Sequence, residues 1–510
     1  MELEVTKAVK KVLFVGEERI CRQVAYVLGF EDYELADKLT EEIYAKYQSY
    51  KIYVCEFKCK SKSIVDKVLL KNKEINYLEN ICREIDKEHR VKRRKHRRVS
   101  KQQLCIYPFF AKLKLYVFNF LVFLYLRIRG AKTIYYAKRS QYHKIKNLKS
   151  IGSLRCLKPS ELFLFVLKAP VNEHIKCNLI ENDMLISKYG EIRGCCNIMI
   201  PFGNLMFDGE LDEIYNSTYS RIIKLSSLNQ SYCLCNLYGW CHSYVNNLSK
   251  TSLGLLKTQL IPERITVAFD RTCNLCCKSC RNKYFVMDTT SRIRTSVCAD
   301  KLQQSGFLDK TATLVVAGHG EVFYSPYYRK LLETDLVRQN INIFSNGILF
   351  NKINWDWLKG KYKKIDVGIS VDAATTKTYQ KLRGGNFNML IENLKMLGDL
   401  RSRSEIGWFV LHFVVQRDNF REMADFVQLG KSLGVDCIEF QRMNNFGNLS
   451  KKQHQQRCLI IDDKYLDYEL WQVLQDPIFK DPIVDLSGFN RYLIASAEKY
   501  QNFAKVEEVK

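Results

Sequence analysis

Six short apolar stretches recur between residues 263 and 446, and this pattern restricts the fold more than any other feature of the chain. Each is rich in valine, isoleucine or phenylalanine, as in strands that are buried on both faces. Helix-like stretches, such as 379–400 and 420–433, separate several of them. The alternation predicts an α/β fold with a parallel sheet curled into a partial (β/α)6 barrel. The predicted strands are 264–269, 313–317, 341–344, 364–370, 408–414 and 437–441.

Three cysteines follow the first predicted barrel strand with the spacing C-x3-C-x2-C, namely Cys273, Cys277 and Cys280. Barrel enzymes carry their chemistry at the carboxyl ends of the strands, which is where this loop begins. Three thiolates at such short spacings can hold a four-iron cluster and leave one iron open to another ligand. Zinc is the alternative metal, and Cys276 is the only nearby thiol that would complete a four-ligand zinc site.

The position of the cysteines along the chain also favours metal ligation. Of 19 cysteines, ten fall between Cys177 and Cys280. The chain opens with the acidic stretch MELEVT and carries no early apolar run of the secretory type, so we expect a cytoplasmic protein. Thiols stay reduced in that compartment, and clustered cysteines there more often bind metal than form disulfides.

Later strand ends resemble further motifs of the radical S-adenosylmethionine (SAM) superfamily, in the same order along the barrel. Gly318-His-Gly-Glu321 resembles the "GGE" element, which holds the SAM amino group, and Ser345-Asn-Gly347 resembles the "TNG" turn. Ser370-Val-Asp-Ala373 stands where the family contacts the SAM ribose, and Arg383 stands where it often contacts the carboxylate. The resemblance covers about 180 residues. It implies that SAM is bound by Gly318, Gly320, Glu321, Ser345, Asn346, Ser370, Asp372 and Arg383.

The resemblance implies a reaction as well as a fold. A [4Fe–4S] cluster on Cys273, Cys277 and Cys280 would cleave SAM reductively, and the resulting 5′-deoxyadenosyl radical would abstract a hydrogen atom from the substrate. A reductant protein of the flavodoxin or ferredoxin type is the implied partner. One departure from the family pattern is Ser279, which stands where an aromatic residue often lies near the adenine. Tyr284 or Phe285 would then supply that contact.

A second set of cysteines lies upstream of the barrel and resembles the SPASM domain, which binds auxiliary iron–sulfur clusters in many radical SAM enzymes. The SPASM domain usually follows the barrel, whereas here the cysteines precede it. Six thiols suffice for one four-ligand cluster, and a zinc knuckle is the alternative. The predicted ligands are Cys177, Cys195, Cys235 and Cys241, with Cys196 or Cys233 as substitutes.

The first 88 residues predict a small Rossmann-like α/β domain. Strand-like runs at 11–15 and 51–57 are followed by helix-like stretches, through residue 28 and near 64–87. Gly16 is a single glycine in the turn where a dinucleotide site would have three, so a docking role is favoured over cofactor binding.

Residues 89–160 form a basic segment with 20 lysines or arginines and no acidic residue, which accounts for most of the net charge of +25. Within it, 115–126 is an uncharged apolar run, too short for the roughly 20 residues that span a bilayer. Two interpretations stand equal: a helix lying on an anionic membrane surface, and a buried inter-domain helix. Nucleic acid is the least favoured partner for this segment.

These features predict five regions: the Rossmann-like domain 1–88, the basic linker 89–160, the SPASM-like domain 161–258, the barrel 259–448 and a helical extension 449–510. The SPASM resemblance favours a peptide or protein substrate. A sugar or lipid-linked glycan is the alternative, and a non-catalytic cysteine-rich metal scaffold is the alternative of another class. The cytoplasmic location would extend to the inner face of the membrane if the basic segment binds it.

Overall fold

The computed structural model describes residues 12–15, 18–28, 34–36, 51–54, 75–77, 159–172, 177, 179–198, 200–235, 260–281, 283–316, 320–334, 336–445 and 449–507. The chain divides into two compact units. The first comprises Met1–Asn182, Ile192–Asn236 and Ser243–Leu260, and the second comprises Asp183–Glu191, Leu237–His242 and Ile261–Lys510.

The strands of the described residues are short, except for those at the centre of the barrel. They are β1 Val12–Val15, β2 Glu34–Ala36, β3 Lys51–Val54, β4 Ile75–Tyr77, β5 Asp183–Ser187, β6 Glu191–Arg193, β7 Gly203–Asn204, β8 Arg264–Ala268, β9 Thr313–Val316, β10 Leu336–Ser345, β11 Tyr362–Ser370, β12 Phe409–Val415, β13 Cys437–Arg442, β14 Ile460–Ile461, β15 Tyr465–Leu466 and β16 Val484–Asp485.

The α-helices of the described residues connect these strands along the chain. They are Glu18–Leu28, Pro159–Lys168, Leu179–Asn182, Leu211–Tyr215, Thr218–Leu228, Thr289–Gln304, Pro326–Leu332, Lys352–Leu358, Thr376–Leu382, Phe387–Ser402, Met423–Ser432, Lys451–Arg457, Tyr468–Val473 and Asn490–Glu507.

The second unit contains a parallel sheet with the strand order β16-β13-β12-β11-β10-β9-β8-β5. Its six central strands are the six predicted from the sequence, so the α/β class and the large parallel sheet are confirmed. Residues facing the helices are fully buried, such as Ile343, Val367 and Leu411. The alternate residues, such as Phe344 and Ser370, are more exposed. This alternation orients one set of side chains toward the core that the helices cover.

One predicted helix is wrong in its extent. The stretch 379–400 forms two helices, Thr376–Leu382 and Phe387–Ser402. Gly384 adopts a left-handed backbone conformation with φ of 74°, which ends the first helix as glycine often does. Asn386 then caps the second helix by accepting a hydrogen bond from the backbone N–H of Met389.

The first unit carries a parallel four-stranded sheet with the order β2-β1-β3-β4. β1, β3 and the helix Glu18–Leu28 lie where the sequence predicts them. The predicted helix near 64–87 is wrong at Ile75–Tyr77, which forms β4 beside β3. Isoleucine and tyrosine favour strands, and pairing to a neighbouring strand overrides a weak helical pattern. The rest of that stretch lies outside the described residues.

Among the described residues, no helix combines the length and apolarity that crossing a membrane requires. The apolar run 115–126 and nearly all of the basic segment lie outside the described residues.

Candidate active site

The cysteine loop leaves the carboxyl end of β8 and is shaped by Asp270, which is fully buried. One oxygen of this carboxylate accepts hydrogen bonds from the backbone N–H of Thr272 at 2.9 Å and from its hydroxyl at 2.7 Å. The other oxygen accepts a hydrogen bond from Ser325, at the start of the helix Pro326–Leu332. A buried acceptor satisfied in this way fixes the loop relative to the barrel.

The three thiols of the loop lie close enough to interact electrostatically. Burial raises the pKa of Cys277 to about 11, Arg383 lowers it, and the neighbouring thiols Cys280 and Cys273 raise it further. Burial also raises the pKa of Cys273. Burial therefore disfavours the thiolate form of Cys273 and Cys277, and a metal, which binds the thiolate, would have to displace the proton.

Each of these thiols has a side-chain N–H donor from a different part of the barrel. The pairs are Asn346 Nδ2 to Cys273 Sγ at 3.8 Å, Arg383 Nη1 to Cys277 Sγ at 3.9 Å and Arg281 Nη2 to Cys280 Sγ at 3.6 Å. The backbone N–H of Leu275 also donates to Cys273 Sγ, at 3.4 Å. Such donors stabilise a thiolate more than a thiol, since hydrogen bonds to the charged form favour that form.

Glu321 lies beside this loop with its side chain buried. Its carboxylate accepts a hydrogen bond from the hydroxyl of Ser345 at 2.7 Å and another from the backbone N–H of Asn346 at 2.8 Å. Burial raises the pKa of this carboxyl, and the two hydrogen bonds oppose that effect. Asn346 also donates to Asn274 Oδ1 at 2.8 Å. The predicted "GGE" and "TNG" elements therefore meet directly at the cysteine loop.

Gly320 allows this close approach. A Cβ atom built on it would lie 2.8 Å from the carbonyl oxygen of Asp270 and 2.8 Å from that of Thr272. The backbone N–H of Glu321 donates to the same carbonyl of Thr272, at 2.8 Å. Any side chain at position 320 would therefore separate Glu321 from the cysteine loop.

Asp372 and Arg383 form a buried ion pair with an N–O distance of 2.7 Å. Asp372 has a φ of 63°, unusual for a residue with a side chain, and its second carboxylate oxygen accepts a hydrogen bond from the backbone N–H of Val414 at 2.7 Å. Asn419 donates to the backbone carbonyl of Asp372 at 2.9 Å. The pair thus links the end of β11 to Cys277, and its predicted contacts to SAM stay predictions.

The remaining predicted positions are placed as follows. Ser370 is the last residue of β11 and is partly exposed, while Gly318 lies outside the described residues. Tyr284 is 59% exposed, and the ring of Phe285 lies under the guanidinium of Arg271 at 4.7 Å. These positions do not identify either aromatic residue as the contact to the adenine.

The sequence motifs did not identify two residues that shape the site. Arg281 directly follows the third cysteine, and a cation at that position was the available signal. Asn393 donates to the carbonyls of Gly347 and Ile348, at 2.8 and 3.0 Å, and so holds the turn after β10. The sequence offered little indication of this role for Asn393, because an asparagine in a helix is usually solvated.

The residues present fit a four-iron cluster. Three interacting thiols, each with a side-chain N–H donor, and the buried carboxylate of Glu321 beside the loop form a set suited to a cluster of iron and sulfide. In the part of the chain that the structure describes, no three His, Cys, Asp or Glu side chains are arranged to hold a single metal ion.

Two contacts within the first unit link the segments that carry the upstream cysteines. Tyr232 donates its hydroxyl to the carbonyl of Cys177 at 2.9 Å, and a β-bridge pairs Ile198 with Cys235. Cys177 and Cys195 each accept a hydrogen bond at sulfur from the backbone N–H two residues later, at 3.4 and 3.3 Å. Cys273 accepts the same bond. Cys241 lies outside the described residues.

Cys196 and Cys233, the predicted substitutes, differ in their surroundings. Cys196 is exposed. Burial raises the pKa of Cys233 to about 11, against the opposing effect of the Ser231 hydroxyl, which lies 3.3 Å from the Cys233 sulfur. The exposed thiol is the more accessible of the two to a metal.

Comparison with known proteins gives one relative and several solved structures. No family model matches the chain. The chain is similar to the antilisterial bacteriocin subtilosin biosynthesis protein AlbA of Bacillus subtilis strain 168, with 26% identity over 215 residues. The match covers 41% of this chain and 46% of AlbA, so it spans less than half of the relative's length.

Two crystal structures of Streptococcus suis SuiB are also similar to parts of this chain. SuiB bound to S-adenosylmethionine gives a TM-score of 0.30 at 15% identity, covering 38% of this chain and 43% of SuiB. SuiB bound to the precursor peptide SuiA gives 0.33 at 13% identity, covering 63% and 74%.

Two features of the chain carry the resemblance noted in the sequence: the cysteine spacing after β8 and the ordered motifs after β9 and β10. By these motifs the chain resembles the radical SAM superfamily, with a SPASM-like cysteine-rich region ahead of its barrel.

Proposed function

We propose that the chain is a radical SAM enzyme that modifies a peptide. The observation that carries this proposal is the convergence of Cys273, Cys277 and Cys280 with Glu321 and Asn346 at one end of the barrel. This arrangement offers three thiolates to a cluster and a buried carboxylate beside it.

The bound cofactors would supply the chemistry that side chains lack. When bound, a [4Fe–4S] cluster with one open iron would supply the electron for reductive cleavage of SAM to methionine and a 5′-deoxyadenosyl radical. The protein's residues position these groups. Glu321, held by Ser345 and Asn346, would accept hydrogen bonds from the SAM amino group. Ser370 and the Asp372–Arg383 pair would border the ribose and carboxylate.

The relative supports a peptide as the substrate. AlbA takes part in the biosynthesis of subtilosin, a bacteriocin, and bacteriocins are peptides. A glycan substrate would leave the cluster chemistry unchanged, so the two substrate classes separate only in a substrate assay. The electron would come from a flavodoxin- or ferredoxin-type protein. An auxiliary cluster on Cys177, Cys195, Cys235 and Cys241 would lie in the cysteine-rich region.

The test is anaerobic reconstitution followed by reduction with dithionite in the presence of SAM. We expect 5′-deoxyadenosine and methionine to form in equal amounts. The variants Cys273→Ala, Cys277→Ala and Cys280→Ala should each lose about four irons per chain and all SAM cleavage, because each removes a ligand of the same cluster.

The matched control is Cys276→Ala, which removes a thiol from the same loop. Cys276 Sγ lies 3.8 Å from the carbonyl of Arg281, within the loop. This variant should retain both iron and SAM cleavage. Bound zinc in place of iron, or SAM cleavage that survives loss of Cys280, would contradict the proposal and favour a metal scaffold.

A further inference from the structure

Arg281 lies next to the third cysteine, and its guanidinium is directed at the cysteine loop. Its side chain is buried, with the residue 7% exposed. Nη1 donates to the backbone carbonyl of Arg271 at 2.9 Å, and Nη2 donates to Cys280 Sγ at 3.6 Å. The backbone N–H of Arg281 donates to the carbonyl of Cys277 at 3.0 Å. The two side-chain contacts hold the cation at the edge of the cluster site.

We propose that Arg281 is a positioning residue that eases one-electron reduction of the cluster through its hydrogen bond to the Cys280 thiolate. The inference rests on the proposed function, since it requires a cluster on the three cysteines. It goes beyond that function because the superfamily motif specifies the cysteines and leaves the following residue open.

The physical reason is the change of charge on reduction. An added electron makes the cluster and its three thiolates more negative by one unit, and a fixed cation stabilises the more negative state more strongly. Hydrogen bonds to cluster sulfurs and the net charge nearby are known determinants of iron–sulfur potentials. Because Arg281 is largely shielded from water, solvent weakens this effect less than it would for a surface arginine.

Arg383, the other arginine at the site, forms an ion pair with Asp372 at 2.7 Å, so a carboxylate offsets much of its field at Cys277. Replacing Arg383 would remove this ion pair together with the cation, so it would not isolate the effect of a single charge on reduction.

The test is an anaerobic redox titration with dithionite, in which the electron paramagnetic resonance signal of the reduced cluster gives the midpoint potential. The variants are Arg281→Met, Arg281→Gln and Arg281→Lys, each with iron and sulfide counted first. We expect the potential to fall in the Met variant, to fall less in the Gln variant, which keeps an N–H donor, and to return toward wild type in the Lys variant.

Lys278→Met is the matched control, because it removes the same charge from the same loop. Lys278 is exposed, and it lies between two of the cysteines. Its substitution should shift the potential less than Arg281→Met does. Equal potentials for Arg281→Met and wild type, or equal shifts for Arg281→Met and Lys278→Met, would overturn the inference.

Cluster loss is also informative. Loss in the Met and Gln variants with retention in the Lys variant would support the inference, since only the cation would then restore the site. Equal loss of the cluster in all three variants would overturn the inference, because the shape of the side chain and not its charge would then determine whether the cluster is retained. If the wild-type chain holds no four-iron cluster, the proposed function itself fails, which is a different result from an unchanged potential.

Discussion

Lys224 lies on the helix Thr218–Leu228 with its ammonium nitrogen 3.3 Å from the centroid of the Tyr215 ring and 5.5 Å from that of Phe202. It also donates to the carbonyl of Tyr215 at 3.4 Å. Burial lowers the pKa of Lys224 to about 7, and nearby Arg221 lowers it as well. The side chain is 2% exposed as a residue, so the fold holds this amine mostly without water.

The pH dependence of stability follows from this shift. Between about pH 7 and pH 10.5 the unfolded chain binds a proton at Lys224 that the folded chain does not bind. The free energy of unfolding therefore rises with pH across this window, and below about pH 7 the full penalty for the buried charge remains.

We expect Lys224→Met to stabilise the first unit at pH 6 by on the order of 1–2 kcal/mol, because it removes a buried charge and keeps the volume. The gain should shrink at pH 9, where the native lysine is already neutral. The measurement is urea unfolding of the apo protein at both pH values. Unfolding of the first unit is followed by proteolytic cleavage within Thr218–Leu228. Lys330→Met, at an exposed position, is the control, and an equal gain at both pH values would refute the pH dependence.

At the scale of elements, the loop after β9 depends on the missing side chain of Gly320. We expect Gly320→Ala to cost about 1–3 kcal/mol, because its Cβ would meet two backbone carbonyls that cannot move independently. SAM affinity, measured by equilibrium dialysis, should fall as Glu321 moves away from the cysteine loop.

Gly306→Ala is a useful comparison for this prediction. A Cβ at Gly306 would meet nothing within 4 Å, but the backbone has a φ of 66°. It should therefore cost about 1 kcal/mol from backbone strain alone and leave SAM affinity unchanged. Equal effects of the two substitutions on SAM affinity would show that the close approach at Gly320 does not matter.

The strands of the barrel were predictable because short stretches rich in valine, isoleucine, leucine and phenylalanine recur at regular intervals. β16 was not, since Val484–Asp485 is two residues long and pairs with Ile438 and Glu439 from more than 40 residues away. The pairing of β5 with β8 was not predictable for a similar reason, since a long insertion separates the two strands. Such pairings depend on tertiary contacts that a local pattern does not contain.

Site residues that belong to a recognisable motif were predictable from the sequence. Site residues whose role depends on burial were not. The Glu321 contacts to Ser345 and Asn346 follow from motifs that were visible in order along the chain. The burial of Arg281 and the pairing of Asp372 with Arg383 arise only when the loops fold together. A charged residue in sequence is ordinarily assumed to be solvated.

At the scale of the whole molecule, the two proposed clusters share no ligand. The three barrel cysteines belong to the second unit, whereas three of the four predicted auxiliary ligands, Cys177, Cys195 and Cys235, belong to the first. Because the two sets have no thiol in common, we expect them to load with metal independently.

The double variant Cys177→Ser/Cys195→Ser tests this independence. We expect iron to fall from about eight to about four per chain, with 5′-deoxyadenosine formation retained in the absence of substrate. Cys458→Ala, a thiol of the second unit outside both sets, should keep all the iron. Loss of SAM cleavage together with the iron would contradict independent loading, and one zinc beside about four irons would identify the upstream site as a zinc knuckle.

The position of β16 at one edge of the barrel sheet has a consequence for biosynthesis. The ribosome completes Val484–Asp485 about 40 residues after β13, which corresponds to roughly 2–8 seconds of translation. During that interval one edge of β13 has no partner strand, and an unpaired strand edge is a template for wrong pairing with another chain. Completion of β16 therefore closes this edge against association of the growing chain with its neighbours.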